Sequence, residues 1–227
     1  NEGSGAPDQP NPPADWLIPR LPALTVLLPI HNGYEAICRC LHSLHNDTRP
    51  LDAAITKLVL INDASTDTRI SPRLKEFRTQ APRVDLIEQN TNLGYLACVN
   101  RQLERVTGAV ILLNSDTIVT RDWATRLQAG AKRYPRLGAL TPLSNNATFS
   151  TLRDPNDRRR ALTRDDLPRI EALLETRTGC DYPLAPTGMG FCLLITALAR
   201  SIAPKFNANF APGYEEANDL CQVLRAH

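Results

Sequence analysis

The stretch AVILLNSDTIV, at residues 109–119, decides the fold class. Its four consecutive aliphatic residues, 110–113, are typical of a strand that is buried on both faces of a parallel sheet. The run ends abruptly in Asn114, Ser115 and Asp116. In open α/β sheets ligands bind at the carboxyl ends of the strands, so these three side chains are candidate ligand contacts. They are also ordinary turn residues, and this stretch alone leaves both interpretations open.

Strand and helix patterns alternate on both sides of this stretch. Apolar residues at three- and four-residue spacing, such as Leu96, Val99 and Leu103, predict the helices. The predicted strands are 24–30, 57–61, 84–88, 109–113 and 137–142, and residues 186–196 form a further core segment. The predicted helices are 34–45, a helix that begins at 71, a helix after 94, 121–133, 167–175 and a helix that begins near 215. Thr120 is the predicted N-cap of the helix at 121–133. This alternation with short loops is typical of right-handed βαβ units on a parallel sheet.

The composition is that of one large soluble domain. Of the 227 residues, 42% are hydrophobic and 22% are charged, which is usual for globular proteins. The net charge of +2 gives no sign of a nucleic-acid partner, and we expect none. No apolar run is long enough to span a membrane, and no secretory signal is recognisable. The six cysteines are scattered without a CxxC pair, which favours buried free thiols in the reducing cytoplasm over disulfides or zinc.

Two segments depart from the regular pattern. Residues 1–23 are rich in Pro, Gly and polar residues, which predicts a flexible tail ahead of a domain at 24–227. Residues 145–166 are rich in Arg and Asp with little periodicity, which predicts a loop or insertion. The Arg-Arg-Arg run at 158–160 has two interpretations, either contacts to phosphate groups or a solvated loop, and the second is the commoner case.

Two common nucleotide-binding motifs are absent from the sequence. There is no G-x-G-x-x-G after the first strand and no G-x-x-x-x-G-K-[ST], which removes the main support for dinucleotide and P-loop sites. Instead, three predicted strands run into Asn32, Asp63 and Asp116. Carboxylate and amide oxygens favour Mg²⁺ or Mn²⁺ over zinc. This pattern predicts a nucleoside hydrogen-bonded by Asp63 and a metal held by Asp116 that bridges two phosphates.

Five motifs in a fixed order carry a resemblance to a known family. They are L-P-I-H-N (28–32), I-N-D-A-S-T-D (61–67), N-x-G-x-x-x-x-x-N (92–100), L-L-N-S-D (112–116) and F-A-P-G-Y-E-E-A-N-D-L-C (210–221). Together they resemble the family 2 glycosyltransferases, and the rhamnosyltransferase-like branch is the nearest. The resemblance spans roughly residues 24–225. Each motif alone is weak, but five in this order, each at the expected end of its element, are specific.

The resemblance implies a GT-A (Rossmann-like) α/β fold, with a mostly parallel sheet flanked by helices. Its nucleotide-sugar half would be about 24–143, and its acceptor and catalytic half about 144–227. The implied reaction is inverting transfer of a hexosyl or deoxyhexosyl group from a UDP-, dTDP- or GDP-sugar to a hydroxyl of a glycan or lipid-linked saccharide, as in polysaccharide biosynthesis. We expect a cytoplasmic protein, or one at the inner face of the membrane with peripheral association through missing regions. Family members continue past the last helix, so we expect a fold truncated at its C-terminus.

The resemblance also assigns candidate site residues. Asp116 ends the family's metal-binding DXD motif, which here reads N-S-D, so a Mn²⁺ or Mg²⁺ cofactor would rely on phosphate oxygens and water for its other ligands. Two donor-binding candidates have a second interpretation: His31 as a structural residue at the strand end, and Asn100 as a satisfied buried amide. The donor-binding candidates are Pro29, His31, Asn32, Asp63, Ser65, Asn92, Gly94, Asn100, Asn114 and Ser115.

The general base is expected in an acidic pair that begins the last helix. The family pattern has two adjacent acids, one further residue and then Asp-Leu-Cys, which places the pair on Glu216 and Ala217. The second acid is therefore missing. We rank Glu216 first as the base, then Glu215, then Asp219. The alternative is that these acids only stabilise the helix N-terminus electrostatically.

Two other function classes remain open at this point. A catalytically degenerate binding module would hold a nucleotide sugar or glycan without turnover, and Ala217 and the early end of the chain favour it. A nucleotidyltransferase has a similar sheet but normally needs a Gly-rich, Arg- or Lys-bearing loop after the first strand, which the H-N-G-Y sequence at 31–34 does not provide.

Overall fold

Strands and helices follow one another in the predicted alternation. The computed structural model describes residues 23–147, 150–152, 162–176, 183–210 and 215–227. The strands in these ranges are β1 (Leu24–Ile30), β2 (Lys57–Asn62), β3 (Val84–Glu88), β4 (Ala109–Leu113), β5 (Ala139–Leu140) and β6 (Cys192–Ile195). The helices are α1 (Tyr34–Leu44), α2 (Ile70–Gln80), α3 (Tyr95–Leu103), α4 (Trp123–Arg133), α5 (Leu167–Thr176), α6 (Ala197–Ile202) and α7 (Glu216–Arg225).

The strands form a single mostly parallel sheet, as predicted. Their order is β3-β2-β1-β4-β6-β5. Strands β3, β2, β1 and β4 are mutually parallel, and β6 runs antiparallel between β4 and β5. The carboxyl ends of β1, β2 and β4 therefore meet the start of β6 at one edge of the sheet, which we call the carboxyl edge. The strand order reverses between β1 and β4, and open α/β sheets bind ligands outside such a reversal.

Helices cover both faces of the sheet because its central strands are apolar on both sides. In β1, Val26 and Leu28 belong to a core cluster that includes α1, α2 and α4, whereas Leu27 belongs to a second cluster that includes α3, α6 and α7. All three side chains are fully buried, and so are residues 110–113 of β4. The aliphatic run of β4 is thus covered on both faces, as its sequence predicted.

The start of α4 differs from the prediction. The helix begins at Trp123, with Asp122 at the N-cap position in a left-handed conformation (φ 54°) and without a side-chain cap. The predicted cap, Thr120, was wrong because another segment does this task. The buried carboxylate of Asp52 accepts hydrogen bonds from the backbone N–H groups of Ala124 (2.9 Å) and Thr125 (3.1 Å). A cap supplied from a remote loop leaves no signal next to the helix.

Some predictions fall on residues that the structure does not describe. The tail (apart from residue 23), the 158–160 arginine run and Cys180 lie outside the described ranges. The five described cysteines are free thiols, and three of them are buried. None of the described helices is long and apolar enough to cross a membrane.

Candidate functional site

The ends of β1 and β2 are tied together at the carboxyl edge. Asn32, which follows β1 in a left-handed conformation (φ 58°), donates its backbone N–H to Ser65 Oγ at 3.1 Å. The amide oxygen of Asn32 accepts the backbone N–H groups of Thr66 (2.9 Å) and Asp67 (3.2 Å). The turn after β2 is therefore held against the end of β1. Pro29 lies half-buried one residue before the end of β1 and opposite Ile61 of β2.

Asp63 fixes the loop that leads into α3. This residue is only 4% exposed, and its two carboxylate oxygens accept the N–H groups of Leu93 and Gly94, each at 2.8 Å. Burial raises the pKa of the Cys98 thiol to about 12, with a smaller contribution from the neighbouring Asp63 carboxylate. Gly94 has φ 80°, which a side chain would strain. Asp63 thus holds the loop backbone with both oxygens.

His31 and Asn92 lie exposed above this carboxylate. The Nδ1 atom of His31 is 2.9 Å from the backbone carbonyl of Asp63, so that nitrogen carries the proton and donates. The Nδ2 atom of Asn92 is 3.2 Å from the His31 ring. The structure therefore brings together the predicted donor-binding residues of the first three motifs, with the exception of Asn100.

Asn100 is used elsewhere. Its side-chain nitrogen donates to the Phe206 carbonyl at 2.9 Å, and its side-chain oxygen accepts the Phe206 N–H at 2.8 Å. Both polar groups of the amide are therefore satisfied by backbone, which corresponds to the structural alternative considered above.

The loop after β4 leaves one carboxylate open. Asn114 donates its N–H to the Phe191 carbonyl at 2.9 Å, and Thr117 donates its N–H to the Asn114 carbonyl at 3.1 Å. Ser115 is half-buried between them, and Asp116 is exposed. Within the described ranges, no hydrogen-bond or ion-pair partner engages the Asp116 carboxylate. Its charge is felt by the buried Cys40 thiol, whose pKa rises to about 12 chiefly through burial and secondarily through Asp116.

The residues at the carboxyl edge fit a metal only together with a ligand. Among the described residues, no group of three or more His, Cys, Asp or Glu side chains could hold a metal ion. Mg²⁺ and Mn²⁺ prefer oxygen ligands and retain several waters, and one or two carboxylates with substrate phosphates suffice to bind Mg²⁺. The single open carboxylate of Asp116 fits such a shared site, and it does not fit a preformed protein cage.

Glu216 is a buried acid with an unsatisfied oxygen. It is the first residue of α7 and is 8% exposed. Its Oε2 atom has no hydrogen-bond partner among the described residues, and a Cβ atom built on Gly190 would lie 3.6 Å from its Oε1. A buried carboxylate oxygen without a partner costs free energy, so it calls for a functional explanation.

The surroundings of Glu216 place it at the carboxyl edge. Gly190 lies two residues before β6, and Tyr95 is the first residue of α3, directly after the loop that Asp63 holds. The pKa of the Tyr95 phenol is raised by burial and then by the negative charge of Glu216, which shows that the two side chains are within electrostatic range. The sequence motifs did not single out Tyr95. Its four-residue spacing to Val99, which places both residues on one face of α3, was the only sign in the sequence that Tyr95 faces the core.

The three candidate bases occupy different environments. Glu215 is exposed, and its carboxylate accepts the Asn218 side-chain N–H at 2.7 Å. Asp219 is half-buried and lines a cavity of about 490 Å³ together with Asn100 and Lys205. Ala217, where the second acid of the family pattern would stand, is 5% exposed and packs in the core cluster of α3, α6 and α7. Of the three acids, Glu216 combines burial with an oxygen that lacks a partner among the described residues.

Comparisons with known proteins agree with this architecture. The chain matches the profile of the family described as "Glycosyl transferase family 2" over residues 25–185. A solved structure of the mannosyltransferase PcManGT from Pyrobaculum calidifontis, in complex with GDP-Man and Mn²⁺, has a TM-score of 0.60 at 16% identity and covers 89% of this chain and 52% of its own. GalNAc-T7 with UDP, GalNAc and Mn²⁺ has a TM-score of 0.64 at 15% identity, with 90% and 41% covered.

A third similar structure is S. aureus TarS 1-349, with a TM-score of 0.58 at 16% identity and coverage of 89% of this chain and 55% of its own. The chain thus spans about half the length of the solved structures it matches. At these identities the likeness establishes the GT-A fold. No curated protein matches the chain.

Proposed function

The chain belongs to glycosyl transferase family 2, and from this premise we propose that it transfers a sugar from a nucleotide-diphosphate sugar to a hydroxyl acceptor with inversion. The observation that carries the proposal is the buried Glu216 carboxylate, with its unsatisfied oxygen, at the same edge of the sheet as the open Asp116 carboxylate. A transferase of this kind needs an acid that accepts a proton and a second acid that would hold a metal ion against the leaving diphosphate. The rhamnosyltransferase-like branch, the cytoplasmic or inner-membrane location and the tail at 1–23 remain predictions.

We infer that the nucleoside binds above the ends of β1 and β2. The exposed side chains there are His31 and Asn92, with the half-buried Asn32 and Ser65 beside them. Asp63 serves this pocket by holding the loop backbone at Leu93 and Gly94. The similar solved structures contain GDP-Man or UDP, so both uridine and guanosine donors belong in the first assays, with dTDP-sugars beside them.

Asp116 and the donor's diphosphate would hold Mn²⁺ or Mg²⁺ between them. Two of the similar structures contain Mn²⁺. A metal bound there stabilises the negative charge of the leaving diphosphate as a Lewis acid. The loop that carries Asp116 is held in place at the carboxyl edge, because Asn114 and Thr117 both hydrogen-bond to the Phe191 carbonyl.

Glu216 accepts the proton of the acceptor hydroxyl in the proposed reaction. The acceptor oxygen forms a bond to the anomeric carbon while the bond from that carbon to the phosphate oxygen breaks, and the diphosphate leaves with the electron pair. Attack on the face opposite the leaving group inverts the anomeric centre. General-base assistance of this kind contributes a factor of about 10²–10⁴ in rate. Gly190 leaves room for the acceptor next to the carboxylate, since it has no side chain.

The test is donor turnover by the wild-type protein and by Glu216→Gln. We expect a UDP-, GDP- or dTDP-sugar to be turned over with Mn²⁺ and an acceptor panel, and the variant to lose a factor of about 10²–10⁴ in kcat. Glu215→Gln is the matched control, because it removes the neighbouring charge from an exposed side chain, and it is expected to keep activity within a factor of about three. Turnover that survives in Glu216→Gln would remove the base assignment, and no binding of any donor would remove the proposed function.

The second candidate is a binding module that holds a nucleotide sugar without turnover. Ala217 favours it, because the second acid of the family pattern is absent and its position is buried among apolar residues. Calorimetry combined with the turnover assay separates the two candidates. If the wild type binds a donor with Mn²⁺ but does not turn it over, the protein is a binding module.

A further inference from the structure

The loop that carries Asp116 is anchored on both sides of that residue. Before it, the Asn114 N–H donates to the Phe191 carbonyl at 2.9 Å, and directly after it the Thr117 hydroxyl donates to the same carbonyl at 3.3 Å. After it, the Val119 N–H donates to Ser43 Oγ of α1 at 3.1 Å. Asp116 lies between these anchors, exposed at its surface. Its position therefore depends on how firmly the segment 117–121 is held.

Arg49 holds the far side of this segment. One guanidinium nitrogen, Nη1, donates to the carbonyls of Val119 (3.2 Å) and Ser43 (3.4 Å). The other, Nη2, donates to the Glu171 carboxylate at 3.1 Å. The Arg49 and Glu171 side chains are 23% and 21% exposed, so this ion pair is largely shielded from water. Arg49 thus joins the loop to α5.

Glu171 makes a second contact that an ordinary surface ion pair lacks. The same Oε1 atom accepts the backbone N–H of Arg121 at 2.8 Å. Glu171 therefore orients Arg49 and also holds the loop backbone directly, five residues after Asp116. Helix α5 precedes β6 in the chain and belongs to the half of the domain that follows residue 144. One carboxylate on that half fixes the loop of the other half.

We propose that Glu171 is a positioning residue for the metal-binding carboxylate: through Arg49 and the Arg121 N–H it holds the 117–121 segment so that Asp116 faces the donor's diphosphate. This inference rests on the proposed function. Groups that orient a metal ligand from outside the site typically change metal affinity by about 10–100-fold when they are removed. The effect belongs to metal and donor binding, and the acceptor and Glu216 are untouched by it.

The experiment compares wild type, Glu171→Ala, Glu171→Gln and a control. In metal-free protein, hydrogen exchange of the peptide covering 117–122 is measured. Binding of Mn²⁺ in the presence of UDP or GDP is measured by electron paramagnetic resonance of the free ion. Asp165→Ala is the matched control, since it removes an exposed carboxylate from the turn just before α5.

For Glu171→Ala we expect faster exchange in 117–122 and about a tenfold weaker Mn²⁺ affinity, with kcat at saturating Mn²⁺ close to wild type. Glu171→Gln keeps an acceptor for the Arg121 N–H and should recover part of both effects, and Asp165→Ala should match wild type. Unchanged exchange and unchanged Mn²⁺ affinity in Glu171→Ala overturn the inference while the proposed function stands. If the wild type shows neither Mn²⁺ binding nor turnover, both the inference and the proposed function are overturned. If the wild type binds Mn²⁺ without turnover, the Mn²⁺ affinity of Glu171→Ala still decides the inference.

Discussion

At the scale of single residues, Glu216 shows how the fold tolerates a buried acid. An isolated charge in an apolar interior costs much free energy. Glu216 begins α7, and the partial positive charge at a helix N-terminus attracts acidic side chains. Glu216 Oε2 has no hydrogen-bond partner in the described part of the chain, and a bound acceptor hydroxyl would relieve that part of the cost.

Gly190→Ala tests the space beside this carboxylate. The added methyl group would lie 3.6 Å from Glu216 Oε1, at ordinary contact distance, so stability should change by less than about 0.5 kcal/mol. We expect kcat/KM for the acceptor to fall about tenfold or more, because the methyl group would occupy the space proposed for the acceptor. Displacing a reacting group by about 1 Å is costly. Steady-state kinetics with a thermal melt measures both quantities.

Gly188→Ala is the contrasting change two residues earlier. Its methyl group would overlap Leu193 Cδ1 in the core, and overpacking of this kind costs about 1–3 kcal/mol of stability. If both variants lost the same stability and activity, the catalytic interpretation of the Gly190 site would be wrong.

At the scale of elements, Asp52 stabilises α4 from a remote loop. Its side chain accepts hydrogen bonds from the N–H groups of Ala54 (3.0 Å), Ala124 (2.9 Å) and Thr125 (3.1 Å), and from the Thr125 hydroxyl (2.6 Å). We expect Asp52→Ala to lower the free energy of unfolding by about 2 kcal/mol, since it removes a helix cap and leaves buried donors unpaired. Urea denaturation measures this loss.

Thr120→Ala is the matched control for that experiment. Thr120 is the residue that the sequence pattern nominates as the cap, and the structure gives the task to Asp52. The control should change stability by less than about 0.5 kcal/mol. Equal losses in the two variants would contradict the assignment of the cap to Asp52.

These contacts show which features the sequence could predict. Strand ends were predictable, because apolar runs such as 109–113 stop where polar residues begin, and parallel strands bring those ends to one edge. The hydrogen-bond partner of each polar side chain was not predictable, because it depends on contacts between residues that are distant in the chain. Asp63 binds the backbone of residues 30 and 31 positions away, and Asn100 binds that of Phe206, 106 positions away. No local pattern records such pairs.

At the scale of the whole molecule, the candidate site is assembled from two parts of the chain. The proposed donor side comes from β1, β2 and the β4 loop, within the matched family range of 25–185. Glu216 and Gly190 come from beyond that range, on the segment that includes β6 and α7. Because β6 inserts antiparallel beside β4, the later segment reaches the same edge of the sheet. The proposed metal, donor and base sites therefore share one edge of the sheet.

This arrangement predicts that metal and donor bind cooperatively. Asp116 is the only open carboxylate that the described part of the β4 loop (114–121) offers, so Mn²⁺ alone should bind weakly, with Kd on the order of millimolar. With UDP or GDP present, phosphate oxygens complete the coordination, and we expect Mn²⁺ affinity to rise at least about tenfold, which is about 1.4 kcal/mol of coupling. By linkage, Mn²⁺ must raise nucleotide affinity by the same factor.

Calorimetric titrations in both orders measure this coupling in the wild type and in Asp116→Asn. The variant should bind nucleotide with little dependence on Mn²⁺, because an amide is a weaker and neutral ligand. Asp122→Asn is the matched control: it makes the same chemical change six residues later, at a position whose left-handed backbone (φ 54°) Asn also adopts readily. If the coupling survives in Asp116→Asn, Asp116 is not the metal ligand. If the coupling is lost equally in Asp122→Asn, the loss does not depend on a ligand role of Asp116. Either result would contradict the proposed metal site.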